Sequence, residues 1–392
     1  MKKVISVFLA VILVAVMAVP AFAAEEKDTL RFGDDGKFSI MHVTDTHLDF
    51  DNVEASVWLI AQACDKENPD LVVITGDNVD NMDNADDTKA LIDKLMGVFE
   101  ERNIPVAVTF GNHDSEKGAM SREELMAYYN TYSVSLSVDD GEALTGCGTY
   151  NLPVMSSDGT EIKFNVWVFD SGDYDEEGYY SYVKEDQIEW YKAKSDELKK
   201  LNGGETVYSL AFQHIIVAEV YDALKKVDSS TMFAFEHIYN EGEYYMFNPE
   251  NVNYGTLNEM PCPGKQNAGQ FDAMVEQGDV LAMFTGHDHT NAFGVRYKGV
   301  DIVNSLSTRY NGDAFSSQYG YRMLEIDEND TSRYTSRVVH WYDMITFENI
   351  GEFGMNKTAI SVCFNGFFQK FFQNFYREFA AMLTGRTITY AD

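Results

Sequence analysis

Five apolar runs in this chain end at a residue able to bind a metal ion: SIMHVTDTH, LVVITGD, VAVTFGNHD, YSLAFQH and DVLAMFTGHDH. Each run has the length and composition of a buried strand, and each stops at His, Asp or Asn. Five of the eight histidines sit at these ends: His47, His113, His214, His287 and His289. In an open sheet the carboxyl ends of parallel strands face one crevice, so residues distant in sequence converge there. Together with Asp45, Asp77 and Asn112 the five histidines read as one metal constellation. His42 alternates with the strand pattern and reads as structural, and His237 and His340 have no comparable placement.

The surrounding pattern is α/β. Phe38–Val43 reads as a strand, Val53–Asp65 has helical spacing, and Leu71–Thr75 is a strand apolar on both faces. A helix over Thr88–Arg102 leads to the strand Pro105–Phe110, so parallel pairing is expected. Glu161–Phe169 alternates as a strand, Glu185–Leu201 is helical, and Thr206–Phe212 and Asp279–Thr285 deliver the later histidines. Val300–Asn304, Tyr321–Ile326 and Arg333–His340 extend the β pattern, and Ser305–Gly320 is expected to line the site. Residues 115–160 read as a helix followed by irregular chain. Residues 236–270 show little periodicity, as expected of a loop or lid on the substrate side. The acidic stretch DNVDNMDNADD lacks the register and the distal Glu of an EF-hand and is expected to be a solvated loop.

Composition narrows the function. The chain has 392 residues, is 45% hydrophobic and carries a formal charge of −33, so it has material for a real core and a surface that repels nucleic-acid backbones and anionic lipid. Attraction of an anionic substrate must then come from a local cation such as a bound metal. Lys2 and Lys3, an apolar stretch over Val4–Pro20 and the triplet Ala21-Phe22-Ala23 have the three parts of a signal peptide, with cleavage expected after Ala23 and export as the result. No later segment is long and apolar enough to span a bilayer. The four cysteines form no C-x-x-C pair. Export permits a bridge between the loop residues Cys147 and Cys262, whereas Cys64 reads as a small buried helical residue. The expected organisation is a lead-in over 24–35, a catalytic domain over 36–343 and a C-terminal extension over 344–392. That extension carries Phe364, Phe367, Phe368, Phe371, Phe372, Phe375, Phe379 and Leu383 at helical spacing. The stripe suits a helix docking on its own domain or one that meets a partner or a membrane surface.

Imidazole and carboxylate without thiolate favour zinc, iron or manganese over calcium, and a carboxylate such as Asp77 can bridge two ions. The ordered motifs D-x-H, G-D, G-N-H-D, a lone His after a strand and G-H-x-H resemble those of the calcineurin-like metallophosphoesterase superfamily over roughly residues 35–330. The stretch from QHIIVAEVY through GHDHTNAF is similar to its purple-acid-phosphatase-like branch. Asp80 stands where that branch has a tyrosine ligand, so a non-purple centre is expected.

The resemblance implies an α/β fold, a four-layer αββα sandwich with two mixed β-sheets. It also implies one metal held by Asp45, His47, Asp77 and His289 and a second held by Asp77, Asn112, His214 and His287. His113 would contact the substrate phosphate and protonate the leaving group, with Asp114 orienting it, and Asp288 would be no ligand. The implied activity is hydrolysis of phosphate esters by metal-bound hydroxide, with monoesters expected over diesters on the branch it resembles. Phosphodiesterase activity on the same fold is the alternative within that class, and a non-catalytic metal-binding scaffold is the alternative outside it. No nucleotide-cradling Gly-rich loop is present.

Overall fold

The structure, a computed structural model, describes residues 29–80, 82–139, 144–310 and 319–384, with side chains as far as 371. The expected signal peptide over residues 1–23 lies outside the described residues. In chain order the strands are β1 (Lys37–Val43), β2 (Leu71–Thr75), β3 (Val106–Thr109), β4 (Tyr150–Met155), β5 (Ile162–Val168), β6 (Ser209–Phe212), β7 (Lys225–Val227), β8 (Phe235–Glu236), β9 (Tyr244–Met246), β10 (Val252–Thr256), β11 (Val280–Thr285), β12 (Ala292–Tyr297), β13 (Val300–Asn304), β14 (Gly320–Asp327) and β15 (Asp330–His340). The helices are α1 (Val53–Glu67), α2 (Ala85–Glu100), α3 (Arg122–Tyr129), α4 (Glu185–Leu201), α5 (Val220–Ala223), α6 (Gln270–Gln277), α7 (Trp341–Met344) and α8 (Lys357–Thr384).

Two large sheets organise the molecule, in the orders β15-β14-β1-β2-β3 and β10-β12-β13-β11-β6-β5-β4. The strands that carry the motifs run parallel in both, β1, β2 and β3 in the first and β6 and β11 in the second, the latter flanked by parallel β5 and β13. Antiparallel strands close the flanks, which makes both sheets mixed.

Side-chain alternation sorts the core into three slabs and thereby sets four layers. On β1 and β2 the residues Ile40, Leu71 and Val73 face the second sheet, where they meet Phe164, Val166, Phe212, Phe284 and Val303. Their neighbours Met41, Val43, Val72 and Ile74 face α1 and α2 and pack on Leu59, Ile60, Leu91, Leu95 and Phe99. On the far side Trp167, Phe169, Ala211, Met283 and Ile302 meet α4 and α6 through Tyr191, Leu198, Phe271 and Met274. A strand buried on both faces needs no polar alternation, which is why β2 reads as an unbroken LVVIT.

Several expectations change. The described part of the lead-in packs on the body: Leu30 and Phe32 are buried and Phe32 N donates to Met155 O at 3.0 Å. The region 115–160 contains β4, paired antiparallel with β5. The region 236–270 contains β10 and β9, the central strand of a small sheet ordered β7-β9-β8. The four cysteines are free thiols, with Cys262 Sγ donating to Met260 O, so Cys147 and Cys262 form no bridge. Met344, Ile345, Ala359 and Val362 pack into the same core as α1 and α2, so no structural boundary falls at residue 344. Among the described residues no helix is long and apolar enough to cross a membrane.

Candidate metal centre

The five motif strands end on one edge of the sandwich, and the loops that follow are tied to each other through backbone. Asp45 N donates to Gly76 O (3.0 Å), His47 N to Asp77 O (2.9 Å) and Gly286 N to His214 O (3.1 Å). The chain there adopts a conformation that non-glycine residues avoid: Asp45, His47, Asp77 and His287 have φ of 50°, 38°, 50° and 73°. Left-handed backbone at four non-glycine residues in one site stores strain that the surrounding packing must hold. It turns each side chain inward after its strand.

Two groups of donors result. Asp45, His47, Asp77 and His289 bring one donor atom each to within 4.8 Å of one another, and so do Asp77, His214 and His287. Asp77 belongs to both. His289 Nε2 lies 3.3 Å from Asp45 Oδ1, His47 Nε2 lies 3.6 Å from Asp77 Oδ2, and the His47 and His289 Nε2 atoms are 2.9 Å apart. In the second group His214 Nε2 is 3.2 Å from both Asp77 Oδ2 and Asn112 Oδ1. The two imidazoles of the G-H-x-H motif thus fall in different groups.

The surroundings aim these donors. His214 Nδ1 donates to Thr75 O at 2.9 Å, which fixes the ring and leaves Nε2 facing Asp77. Asn112 Nδ2 donates to Tyr174 Oη at 3.0 Å, which turns its carbonyl oxygen toward His214. Tyr180 packs edge-on against the His287 ring with centroids 4.3 Å apart. Thr44 Oγ1 donates to Asp45 Oδ2 at 2.8 Å and Ser307 Oγ to Asp45 O at 2.7 Å. Of the stretch Ser305–Gly320 expected to line the site, Ser307 and Thr308 reach the Asp45 loop, Thr308 N donating to Thr44 O at 2.8 Å.

Electrostatics shows which kind of ligand the site suits. Burial works against ionisation of Asp45 and Asp77, yet the neighbouring histidines hold both carboxyls below the usual carboxylate range. Burial opposes the charged form of His214, but the Asp77 charge outweighs it and raises the ring to about 9. Burial lowers His287 to about 3. His287 Nε2 is buried with no hydrogen-bond partner among the described residues, and Asp77 Oδ2 is buried with only the ion-pair contact to the His214 and His47 rings. Buried donor atoms so placed on ligand-type side chains are what a cation would satisfy, and the donor chemistry fits a pair of borderline cations.

The structure reassigns Asp114. Its carboxylate accepts from Gly111 N (2.7 Å), Asp77 N (2.8 Å) and Asn78 N (2.9 Å), so it clamps two motif loops together. It does not orient His113. The carboxylate at His113 is Glu116, with Oε2 2.7 Å from Nδ1. Burial next to Asp77 raises Asp114 to about 6. His113 stands at the rim, its ring 5.5 Å from that of His47, and its N–H donates to Asp77 Oδ1 at 2.8 Å.

Asp288 faces away from the donors and accepts from Cys262 N at 3.2 and 3.3 Å. Asp80 lies 4.0 Å from His47 Nδ1 with its side chain 43% exposed, at the rim. His42 is internal, bonded to Ser305 Oγ and Thr75 Oγ1. Glu116, Tyr174 and Tyr180 escape sequence reasoning. The Tyr- and acid-rich stretch around Asp173–Tyr182 is the only hint of the last two.

Comparison with known proteins agrees with this geometry. Residues 38–291 match the model of the family described as calcineurin-like phosphoesterase. The chain is 28% identical to an Arabidopsis thaliana protein named "Probable inactive purple acid phosphatase 14", over 79% of this chain and 80% of that one. It is 26% identical to the phosphatase DCR2 of Saccharomyces cerevisiae over 68% of this chain and 46% of that one. A dimetal phosphatase from Danio rerio shares the fold, with a TM-score of 0.51 at 14% identity, covering 78% of this chain and 96% of that one. The chain belongs to the calcineurin-like phosphoesterase family.

Proposed function

We propose that this protein is an exported phosphoesterase with a two-metal site, acting on monoesters in preference to diesters. The observation that carries the reading is the convergence of seven ligand-type side chains, six of them in two groups that share Asp77 and the seventh, Asn112, beside His214, with His287 Nε2 buried and without a described hydrogen bond. Asp45, His47, Asp77 and His289 would hold one cation, and Asp77, Asn112, His214 and His287 the other. Two cations bound by these residues would supply charge neutralisation for a phosphoryl group and Lewis-acid activation of a water.

The chain's own groups do the rest. His214, its Nδ1 proton fixed on Thr75 O, keeps Nε2 on the Asp77 side. Tyr174 keeps the Asn112 carbonyl oxygen directed inward. His113, held at Nδ1 by Glu116, would hold a phosphate oxygen and pass a proton to the departing alkoxide. Asp114 keeps the Gly76-Asp77 and Gly111-Asn112 turns in register through three backbone N–H groups.

A non-catalytic reading draws on the word "inactive" in the names of three plant relatives. Against it, each donor type that the two groups require is present in this chain. Turnover of para-nitrophenyl phosphate with manganese, iron or zinc supplied separates the two readings. The proposal expects hydrolysis, faster for the monoester than for its bis-ester, and loss of turnover in Asp77→Ala and His287→Ala with the fold retained. Full activity in either variant, or stoichiometric metal without hydrolysis of any phosphate ester, defeats it.

A further inference from the structure

Each of the two donor groups draws on both large sheets. Asp45, His47, Asp77 and Asn112 follow strands of the first sheet, whereas His214, His287 and His289 follow β6 and β11 of the second. The site therefore exists only while the sheets keep one mutual register. Apolar contact between sheet faces is non-directional and does little by itself to select that register.

A seam of polar groups runs through this otherwise apolar layer. His42 on β1 and Arg322 on β14 are direct cross-strand partners, in the same alternation as Ile40, Leu324 and Ile326. Both are 1% exposed, as is Ser305 just after β13, and Thr75 on β2 is fully buried. Arg322 Nε donates to Ser305 Oγ at 2.9 Å, Ser305 Oγ lies 2.9 Å from His42 Nδ1, and His42 Nε2 lies 2.8 Å from Thr75 Oγ1. An arginine can only donate, so the Ser305 hydroxyl is left to donate to Nδ1. The neutral His42 ring then carries its proton on Nε2 and gives it to Thr75 Oγ1. The carbonyl of the same Thr75 accepts from His214 Nδ1. The bonds thus cross to the second sheet at Ser305, return at His42 and cross again from Thr75 to His214. Arg322 Nη1 makes a further crossing, to Tyr254 Oη on β10 at 3.2 Å.

This arrangement is not what stability alone would select. The described acceptors of the Arg322 guanidinium are all neutral: Ser305 Oγ, Ser336 Oγ, Tyr254 Oη and Asn304 O. A buried cation without a carboxylate partner is less stable there than an apolar residue of similar volume. Directional bonds at the donor edge are what the seam supplies and an apolar residue could not.

We propose, resting on the two-metal reading, that His42 and Arg322 are positioning residues for the metal centre. Through Ser305 and Thr75 they fix the register of the two sheets where the donors emerge. His214 and its neighbours are thereby held at the separation from Asp77 that two cations require.

Calorimetric titration of the metal-free chain with zinc, and with manganese in parallel, tests this beside thermal unfolding of the same samples. His42→Leu and Arg322→Met are each expected to weaken metal binding about 10- to 100-fold. The melting temperature of the metal-free chain at neutral pH is expected to stay at or above that of the wild type in both. Leu324→Ala, on the same face of β14 but outside the seam, is the control. It is expected to lower the melting temperature by several degrees and to leave the metal affinity of the folded protein unchanged. Binding within about threefold of wild type in both seam variants overturns the proposal. So does affinity that falls in step with melting temperature across all three variants, or collapse of the fold in both His42→Leu and Arg322→Met. A wild type that takes up neither metal defeats the two-metal reading and the proposal with it, whereas normal uptake with unaffected seam variants defeats the proposal alone.

Discussion

Gly286 tests whether the site depends on the close approach of two motif loops. A Cβ at this position would lie 2.0 Å from Thr44 Oγ1 and 2.2 Å from Asp45 Oδ2, where real Cβ atoms stay beyond 3.0 Å. Asp45 must therefore retreat by at least about 0.8 Å in Gly286→Ala, or the His287 loop must move by as much. A misplacement near 1 Å at a reacting centre lowers rate by roughly 100-fold. The substitution removes no donor atom and creates no left-handed backbone, so the effect isolates steric positioning.

The assay is turnover of para-nitrophenyl phosphate beside metal content and thermal unfolding. We expect kcat to fall roughly 100-fold with weaker metal retention, while the protein stays folded. Gly97→Ala is the control, because a Cβ there meets nothing within 4 Å and α2 gains a better helix former. It should leave activity unchanged and add about 0.5–1 kcal/mol of stability. Wild-type activity and metal content in Gly286→Ala would refute the claim that glycine is required for the approach to Asp45.

Two further substitutions address the scaffold. Burial beside Arg322 lowers His42 from its ordinary value to about 3, so the folded state refuses a proton that the unfolded chain accepts below about 6.5. Stability of the metal-free protein should therefore fall as pH drops from about 6.5 toward 3, and His42→Asn should reduce that slope by up to about 1.4 kcal/mol per pH step. Chemical denaturation at a series of pH values checks it, and an unchanged slope counts against the assignment. Arg122 bonds Asp170 at 2.5 Å and Gly111 O at 2.7 Å from a buried position. Arg122→Met, which strands the Asp170 charge, should destabilise the fold by about 3–5 kcal/mol, and adding Asp170→Asn should recover part of it.

The motif strands and their metal-type residues are legible because a buried parallel strand writes itself as an uninterrupted apolar run. β2 and β13 fall within their expected bounds, and α4 matches residue for residue. The strands missed are of another kind. β8 and β9 have two and three residues, too few to show a period, and they exist only through pairing with each other and β7. β12 follows the G-H-x-H turn so closely that its alternation is hidden by Asn291 and Gly294, and antiparallel pairing with β13 defines it.

The site shows the same division. Donor identity is written in the motifs, but the left-handed backbone at Asp45, His47, Asp77 and His287 is a product of tertiary contacts. The partnership of His113 with Glu116 depends on a rotamer, and the clamp formed by Asp114 depends on where two loops meet. The phenylalanine stripe shows how a clear period can mislead. Helical spacing identified a helix and an apolar face, yet small residues on the other face made the dock, because Gly366 lets the backbone approach Tyr342.

The most direct test of the two-metal account is metal stoichiometry of the purified chain, measured together with phosphatase activity as metal is removed and restored. Because Asp77 stands in both donor groups, the account predicts about two ions per wild-type chain. Activity should return only as both are refilled, and Asp77→Ala should bind neither firmly. One ion or none at full activity, or hydrolysis that survives exhaustive chelation, would contradict it.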